Sequence, residues 1–298
     1  MKIFIMGATG YIGGSLAKIL LDEGHDVSGL IRNAEKVDAL LKAGIKPIVG
    51  TLEDKEVLVQ GVQFSDAVIN AANSDHRSAI ETIIEAMRGT GKTFIHTSGS
   101  SVIGDDALGE YASDKIYADD TPFTPISLRK DRADINNFVR IAGVKDGIRT
   151  MVITPPMIYG DSLGFPAESD QLPKLIRKSK EKEAGIYLGK GLNRWSNVHI
   201  KDLVNLYSLA LKNGPSAAMF FAENGEESFL TIAQSISQSL GYNGKTISWP
   251  INEASKEFGD WARFALGSNS RIRAVNARAL LGWQPKAQSL LDWIKHIG

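Results

Sequence analysis

The chain has 298 residues, of which 43% are hydrophobic and 23% charged, and its 34 Lys and Arg residues balance its 34 Asp and Glu residues. This is ordinary globular composition, and a balanced net charge leaves no field to draw the protein onto nucleic acid or an anionic membrane. Cysteine is absent, which excludes disulfides and thiol catalysis, and no segment approaches the roughly 20 unbroken apolar residues that a membrane helix needs.

The first half of the chain alternates short apolar, β-branched segments with helical patterns. Strands are predicted at Lys2–Met6, Asp26–Ile31, Pro47–Val49, Asp66–Ala71, Thr93–Thr97 and Arg149–Thr154. Helices are predicted at Tyr11–Glu23, Ala34–Lys42, Arg77–Met87 and Leu128–Ile141. Fully apolar strands that alternate with helices indicate an α/β fold with a doubly wound parallel sheet, which binds its ligand at the carboxyl ends of the strands.

The second half has a different character after about Pro155. It is predicted to contain the helices Leu172–Glu183, Lys201–Lys212, Thr231–Leu240 and Leu290–Ile297, with short strands such as Ala218–Phe221 between them. We therefore expect residues 1–155 to form the sheet domain. Residues 156–298 are expected to form a smaller mixed substrate-binding lobe, some segments of which return to the sheet.

A glycine-rich loop, Gly7-Ala8-Thr9-Gly10-Tyr11-Ile12-Gly13, lies between the first strand and the first helix. Glycine at such a turn lets main-chain N–H groups approach a pyrophosphate at the positive end of the helix, and the third glycine allows close packing of helix on strand. This context indicates a Rossmann-type dinucleotide site. The candidate cofactor residues of the loop are Gly7, Thr9, Gly10, Tyr11, Ile12 and Gly13.

The end of the second strand distinguishes between the two nicotinamide cofactors. An NAD site usually places an acidic residue there, but Val27–Asn33 contains no carboxylate. The guanidinium of Arg32 is planar and permanently charged, which suits a 2′-phosphate. Arg32 and the adjacent Asn33 are therefore candidate cofactor residues. The sequence therefore favours NADP(H) over NAD(H), the alternative being that Arg32 is a solvated arginine at the start of the second helix.

Several further segments, taken in order, resemble the extended or atypical branch of the short-chain dehydrogenase/reductase family. They are Gly50-Thr51-Leu52, Asn70-Ala71-Ala72-Asn73, Thr97 to Gly104, Pro155 to Gly160, Asn197 to Asp202 and Leu281 to Pro285. The resemblance implies that cofactor contacts are also made by Leu52, Asn70, Ala71, Ala72, Asn73, Thr97, Lys130 and Pro155. Thr51 departs from the family pattern, which has an acidic residue at that position.

The resemblance also implies hydride transfer to or from a nicotinamide, with a Tyr-x-x-x-Lys pair that handles the proton. Lys130 stands in the lysine place, but Ile126 falls where the tyrosine is expected. A literal pair, Tyr111 and Lys115, occurs earlier, although it lies far from Pro155 and is followed by helix-breaking residues. The sequence is compatible with either assignment: Lys130 without its tyrosine, or the pair Tyr111 and Lys115.

Other hydroxyl groups are candidates for the catalytic roles. Tyr159 follows the prolines that would frame the nicotinamide, and it or Tyr117 is an alternative proton donor, as is water. The orienting hydroxyl of long family members falls on Gly99 here, so we favour the neighbouring Ser100, with Ser98 next. A serine-rich turn after a strand is often only a backbone cap.

Four residues in the second half are candidates for parts of a substrate pocket. Trp195 precedes a family landmark, and packing against the sheet is an equal alternative. Trp261 and Phe264 form an aromatic stripe that is typical of a core or an oligomer contact, with a lid over an apolar substrate as the alternative. Arg194 is a candidate for binding a carboxylate or phosphate, or a solvated arginine.

These observations predict a cytoplasmic enzyme, monomeric or homodimeric, that acts on a small molecule and binds neither nucleic acid nor membranes. The five histidines lack metal-ligand spacing, so no metal site is expected. The leading hypothesis is an NADPH-dependent oxidoreductase that reduces a carbonyl or imine group of a small metabolite. The alternatives are a cofactor-recycling epimerase, isomerase or dehydratase, including one that acts on a nucleotide sugar, and a non-catalytic NADP(H) sensor.

Overall fold

A computed structural model describes all of residues 1–298. The strands, in chain order, are Lys2–Met6 (β1), Asp26–Ile31 (β2), Lys46–Val49 (β3), Ala67–Asn70 (β4), Thr93–Thr97 (β5), Tyr117–Ala118 (β6), Arg149–Thr154 (β7), Met157–Tyr159 (β8), Gly185–Leu188 (β9), Arg194–His199 (β10), Ala218–Phe221 (β11), Glu226–Ser228 (β12), Thr246–Trp249 (β13) and Ile272–Arg273 (β14). The helices are Tyr11–Asp22 (α1), Val37–Lys42 (α2), Lys55–Gln63 (α3), Arg77–Met87 (α4), Lys130–Lys145 (α5), Gln171–Lys182 (α6), Ile200–Asn213 (α7), Phe229–Ser239 (α8), Ile251–Phe258 (α9), Val275–Leu281 (α10) and Leu290–Ile294 (α11). None of the helices combines the length and the apolarity that crossing a membrane requires.

The central sheet has seven strands in the order β11-β7-β5-β4-β1-β2-β3, and all its neighbouring strands run parallel. The chain order reverses between β1 and β4, whose registers align Ile5 with Ile69 and Met6 with Asn70. Such a switch point leaves a crevice at the carboxyl ends of the strands. The expected doubly wound α/β fold is confirmed.

The sheet forms because its central strands are apolar on both faces. Every residue of β4 and β5 is buried, as are Ile3 to Met6 of β1, and these strands belong to a core of 52 buried residues. Strands buried on both faces must be covered by helices on both sides, which the alternating order supplies.

Most predicted elements agree with the structure to within a few residues, but helices α3, α9 and α10 were not predicted and α5 begins later than expected. Helix α3 was not predicted, because only Leu58, Gly61 and Val62 of its nine residues are buried and its periodicity is weak. The helix expected from Leu128 begins as α5 at Lys130, after a 3-10 turn at Ser127–Arg129.

The C-terminal part contributes to two cores. Strand β11 forms the edge of the central sheet beside β7, and Leu203, Leu206 and Tyr207 of α7 lie in the large core. A second core of 16 buried residues, which includes Trp195 and Tyr159, joins α6, α8, α9 and α11 to a turn of π-helix at Ala262–Gly267. Our proposed division at residue 155 thus separates two regions of sequence that share one core.

Candidate active site

Two adjoining cavities open at the carboxyl ends of the central strands, on either side of Ala71 and Ala72. The first has a volume of about 370 Å³ and is lined by Gly7, Thr9, Gly10, Leu30, Ile31, Arg32, Leu52, Glu53, Ala71, Ala72, Asn73 and His76. The second has a volume of about 490 Å³ and extends from Ile12 and the end of β5 to the C-terminal lobe. Together they run along the switch point, where a dinucleotide would lie in an open α/β sheet.

The glycine loop fits a pyrophosphate. Gly7 has a φ of +90°, and a Cβ atom built on it would lie 2.7 Å from the carbonyl oxygen of Ala71; one built on Gly13 would lie 2.2 Å from the oxygen of Gly7. Helix α1 has no side-chain cap at Gly10, and no hydrogen bond within the chain uses the amides of Ile12 and Gly13. Free amides at a closely packed helix N-terminus are what an anionic diphosphate requires.

Tyr11 has a different role from its neighbours in the loop. Its hydroxyl donates to the carbonyl oxygen of Gly160 at 2.8 Å, and its side chain is buried. Burial raises the pKa of this hydroxyl. The side chain of Tyr11 therefore ties α1 to the segment after β8, and only its main chain is left for a cofactor.

Arg32 lines the first cavity and forms no ion pair with any carboxylate of the chain. The neighbouring Asn33 does not line the cavity; its side chain caps the next turn by accepting from the amide of Glu35 at 2.9 Å. Sequence reasoning missed Glu53 and His76, which lie 3.0 Å apart at the cavity wall. The hydrogen bond from His76 lowers the pKa of Glu53, which stays anionic.

The turn after β4 forms the wall between the two cavities. Asn70 is buried beneath it, where its Oδ1 accepts from the amide of Ala72 at 3.1 Å and its Nδ2 contacts Nδ1 of His96 at 3.2 Å. Ala71, Ala72 and Asn73 line cavity surface, whereas the side chain of Asn70 does not. Asn70 thus shapes the turn, and its neighbours form the surface.

The turn after β5 brings Thr97, Ser98, Ser100 and Ser101 to the second cavity. Nδ2 of Asn136 donates to Oγ of Ser98 at 2.9 Å, so the proton of the Ser98 hydroxyl stays free for another acceptor. Oγ of Ser100 is 2.6 Å from Oγ of Ser270, and Oγ1 of Thr97 is 2.6 Å from the Tyr207 hydroxyl. Because Oγ of Ser270 donates to Oγ of Ser100, both Ser98 and Ser100 keep a hydroxyl proton for another acceptor, and both stand as candidates for the orienting hydroxyl.

The cations of this cavity are Arg129 and Arg132 rather than Lys130. Nε of Arg132 donates to Asp75 at 2.7 Å, and a Cβ atom on Gly99 would lie 3.1 Å from a guanidinium nitrogen of Arg132. Arg132 therefore fills the space beside the residue that carries the hydroxyl in the family pattern. Lys130 is exposed and lines neither cavity.

Neither tyrosine proposed as a proton donor reaches the second cavity. Tyr111 is 47% exposed and lines a separate cavity with Asp105 and Lys115. Tyr159 is fully buried in the second core, where its hydroxyl donates to the carbonyl oxygen of Gln288 at 2.7 Å. Burial raises the pKa of Tyr159. Both placements correct the expectation that one of these hydroxyls faces the substrate; Tyr117 is also absent from this cavity.

The C-terminal lobe closes the second cavity with aromatic side chains. Trp195, Trp261 and Phe264 all line it, and Nε1 of Trp195 donates to the carbonyl oxygen of Ser268 at 2.8 Å. Arg194 lies elsewhere, with its Nε 2.7 Å from Glu226. Trp261 and Phe264 therefore form part of the cavity wall, and Trp261 also packs against the second core.

The sequence held few signals for the residues that were missed. Arg129, Arg132 and Asp75 stand in polar segments where many charges are solvated, and no local pattern brings them together. Their pairing depends on the packing of the turn after β4 against the start of α5.

Comparison with known proteins gives a consistent result. The family model "NAD dependent epimerase/dehydratase family" matches residues 3–220. An uncharacterised protein of Schizosaccharomyces pombe, C2A9.02, is 31% identical over 98% of this chain and 97% of its own length. A 4-hydroxy-2-methyl-3-oxo-4-farnesyl-3,4-dihydroquinoline-1-oxide ketoreductase of Stigmatella aurantiaca is 26% identical over 94% of this chain and 86% of its own. In fold, the chain is similar to a dTDP-glucose 4,6-dehydratase of Bacillus anthracis solved in complex with NAD, with a TM-score of 0.78, 17% identity and coverage of 99% of this chain and 94% of that one.

Proposed function

This chain belongs to the NAD-dependent epimerase/dehydratase family, and we propose that it is an NADPH-dependent oxidoreductase that reduces a carbonyl or imine group of a small metabolite. Family membership makes it an NAD(P)-dependent oxidoreductase of the short-chain dehydrogenase type. The choice of NADPH, the direction of the reaction and the group reduced are our proposal.

The preference for NADPH rests on Arg32. This guanidinium lines the first cavity with no carboxylate paired to it, and the strand end beside it lacks the acidic residue that binds a ribose 2′-hydroxyl in NAD sites. An arginine fork in this position matches a 2′-phosphate. Glu53 also lines this cavity, but it is paired with His76.

The observation that carries the reductase proposal is that the two cavities adjoin at Ala71 and Ala72, one at the glycine loop and the other at the turn that carries Ser98. Bound NADPH supplies a hydride at the nicotinamide end. Ser98, held by Asn136, is oriented to donate a hydrogen bond to the substrate oxygen. The guanidinium of Arg132, beside Gly99, stabilises the negative charge that develops on that oxygen. Because no tyrosine lines the cavity, water is the source of the proton in this proposal.

The ketoreductase from Stigmatella aurantiaca supports a ketone as the reacting group, since its name describes ketone reduction and it aligns along most of the chain. The test is NADPH oxidation by the purified protein against a panel of ketones and cyclic imines, followed at 340 nm. We expect steady turnover with at least one ketone. If NADPH binds and no member of the panel is reduced, the proposal is wrong.

The lack of a tyrosine in the second cavity favours a second candidate function, a sensor that binds NADP(H) without turnover. Sustained turnover by the pure protein would eliminate this candidate. A third outcome, conversion of a nucleotide sugar with no net change in NADPH, would instead indicate the cofactor-recycling reaction of an epimerase or dehydratase.

A further inference from the structure

Arg129 is a cation that the chain itself leaves without a partner. Its Nε is buried and has no hydrogen-bond acceptor, and its guanidinium lies 3.7 Å from the centre of the Phe264 ring. Burial lowers the pKa of Arg129, and the positive charge of Arg132 lowers it further. An arginine nevertheless stays protonated in proteins, so the cavity contains a guanidinium that the charges of Asp75 and Asp260 stabilise but that no carboxylate pairs with directly.

No carboxylate that lines the cavity forms an ion pair with Arg129. Asp75 is held by Arg132, and Asp170 is paired with Lys174 and accepts from Nε1 of Trp261 at 2.7 Å. Asp260 lies near enough to stabilise the charge of Arg129 but forms no ion pair with it. Each lining carboxylate thus has its own cation, and one guanidinium is left over.

A half-buried guanidinium without an acceptor costs free energy that a cation–π contact recovers only in part. The two terminal nitrogens of Arg129 also have no acceptor within the chain, and unlike Nε they are accessible, so a ligand carboxylate in the cavity would pair with them in a planar, bidentate geometry. Part of the remaining wall of the cavity is apolar or aromatic, on the side formed by Trp195, Trp261, Phe264 and Ile158.

We propose that Arg129 binds a carboxylate of the substrate, so that the substrate is an oxo acid with an apolar or aromatic body. This inference rests on the proposed reductase function, because Ser98 and Arg132 mark the place of the reacting carbonyl and Arg129 marks the place of the acid. Arg129 then determines specificity without taking part in the chemistry.

The experiment compares two aromatic oxo acids, benzoylformate and 3-benzoylpropionate, each with its methyl ester. Binding to the complex with NADP⁺ is measured by the fluorescence of tryptophan, since Trp195 and Trp261 line the cavity. For at least one acid we expect a Kd about 10-fold or more below that of its ester, and we expect Arg129→Gln to remove that difference by weakening the acid alone. Arg129→Lys should restore part of it.

Lys145→Gln is the matched control, because it removes one positive charge from the exposed end of the same helix. It should leave the ratio of acid to ester unchanged. The inference is overturned if no acid binds more tightly than its ester, or if Arg129→Gln weakens acid and ester alike.

The same compounds, assayed for NADPH oxidation, separate this inference from the proposed function. Acid binding that depends on Arg129, without reduction of any ketone, would refute the reductase and leave the carboxylate site standing. Equal reduction of acids and esters, unaffected by Arg129→Gln, would refute the carboxylate site and leave the reductase standing.

Discussion

At the scale of single residues, the proposed preference of the first cavity for NADPH depends on Arg32. Its guanidinium has no partner in the chain, so a 2′-phosphate would gain a charge-assisted pair without breaking one. We expect Arg32→Ala to raise the Kd for NADPH by about 10- to 100-fold and to change the Kd for NADH by less than about 3-fold.

Isothermal titration of both nucleotides measures this effect. Lys36→Ala is the matched control, since Lys36 is an exposed cation a few residues away that does not line the cavity. Equal weakening of NADPH and NADH by Arg32→Ala would refute the phosphate role.

Ser98 is the residue whose removal should affect the chemical step. Its hydroxyl is positioned by Asn136 and is free to donate, so Ser98→Ala should lower kcat for the reduced ketone by about 100-fold while leaving the Kd for NADPH unchanged. Stopped-flow rates and a binding titration give the two quantities. Ser78→Ala, at an exposed position of α4, serves as the control.

Tyr111→Phe tests the literal Tyr-x-x-x-Lys pair directly. Because Tyr111 lines a different cavity from Ser98, the substitution should leave kcat within about 2-fold of the original value. A loss comparable to that of Ser98→Ala would show that the loop at Tyr111 moves into the active site.

At the scale of elements, strand β5 carries a buried histidine that links stability to pH. His96 is fully buried, its Nε2 has no partner, and burial, together with the charge of Arg132, lowers its pKa from 6.5 to about 3. The unfolded chain therefore takes up a proton first as the pH falls. Stability from this residue is complete above about pH 7 and decreases between pH 6.5 and pH 3.

We expect the free energy of unfolding to decrease by up to about 1.4 kcal/mol per pH unit below pH 6.5 because of His96. Urea unfolding at pH 7.5 and pH 5.0 measures the change. His96→Gln, which cannot take up the proton, should show a smaller decrease, and the exposed His296→Gln should behave like the original protein. The same decrease in all three proteins would refute this assignment.

Hydrogen bonds also join two segments of the C-terminal part that are distant in sequence. The carboxylate of Asp202, at the start of α7, accepts from the amide of Lys286 at 2.8 Å, and Nε1 of Trp283 donates to the carbonyl oxygen of Asp202 at 2.9 Å. These hydrogen bonds join the segments Asn197–Asp202 and Leu281–Lys286, which lie about 80 residues apart in the chain.

At the scale of the whole molecule, the large core requires residues from both halves of the chain. Phe220 and Phe221 of β11 and Leu206 of α7 are buried against strands from the first half. We therefore expect a chain that ends at Pro155 to lack cooperative unfolding, because its sheet would expose the edge that β11 covers.

Circular dichroism and urea titration of residues 1–155 and of the full chain test this expectation. In the full chain, the large core, to which α7 belongs, should unfold in a single cooperative transition. A cooperative transition of residues 1–155 alone would show that the proposed sheet domain is independent.

How much was predictable depends on the range of the interaction. The strands β1, β2, β5 and β7 and the helix α4 were predicted at their observed bounds, because local hydrophobic patterns define them. The glycine loop was predicted to form the cofactor cradle because the chemistry of that site is contiguous in sequence. In the second cavity, Ser98, Ser100 and Trp195 were among the sequence candidates, whereas Asp75, Arg129 and Arg132 were not, because the turn after β4 and the start of α5 meet only in the folded chain.

The sequence by itself determined the doubly wound sheet, the family and the place of the glycine loop, since each depends on periodicity or on neighbours along the chain. Only the tertiary structure decided that Arg129 and Arg132 replace Lys130 at the second cavity and that Tyr111 and Tyr159 lie outside it. The physical reason is that the direction of a side chain at the start of a helix depends on how the first turn is rotated about the helix axis. That rotation is set by packing against segments that are distant in sequence.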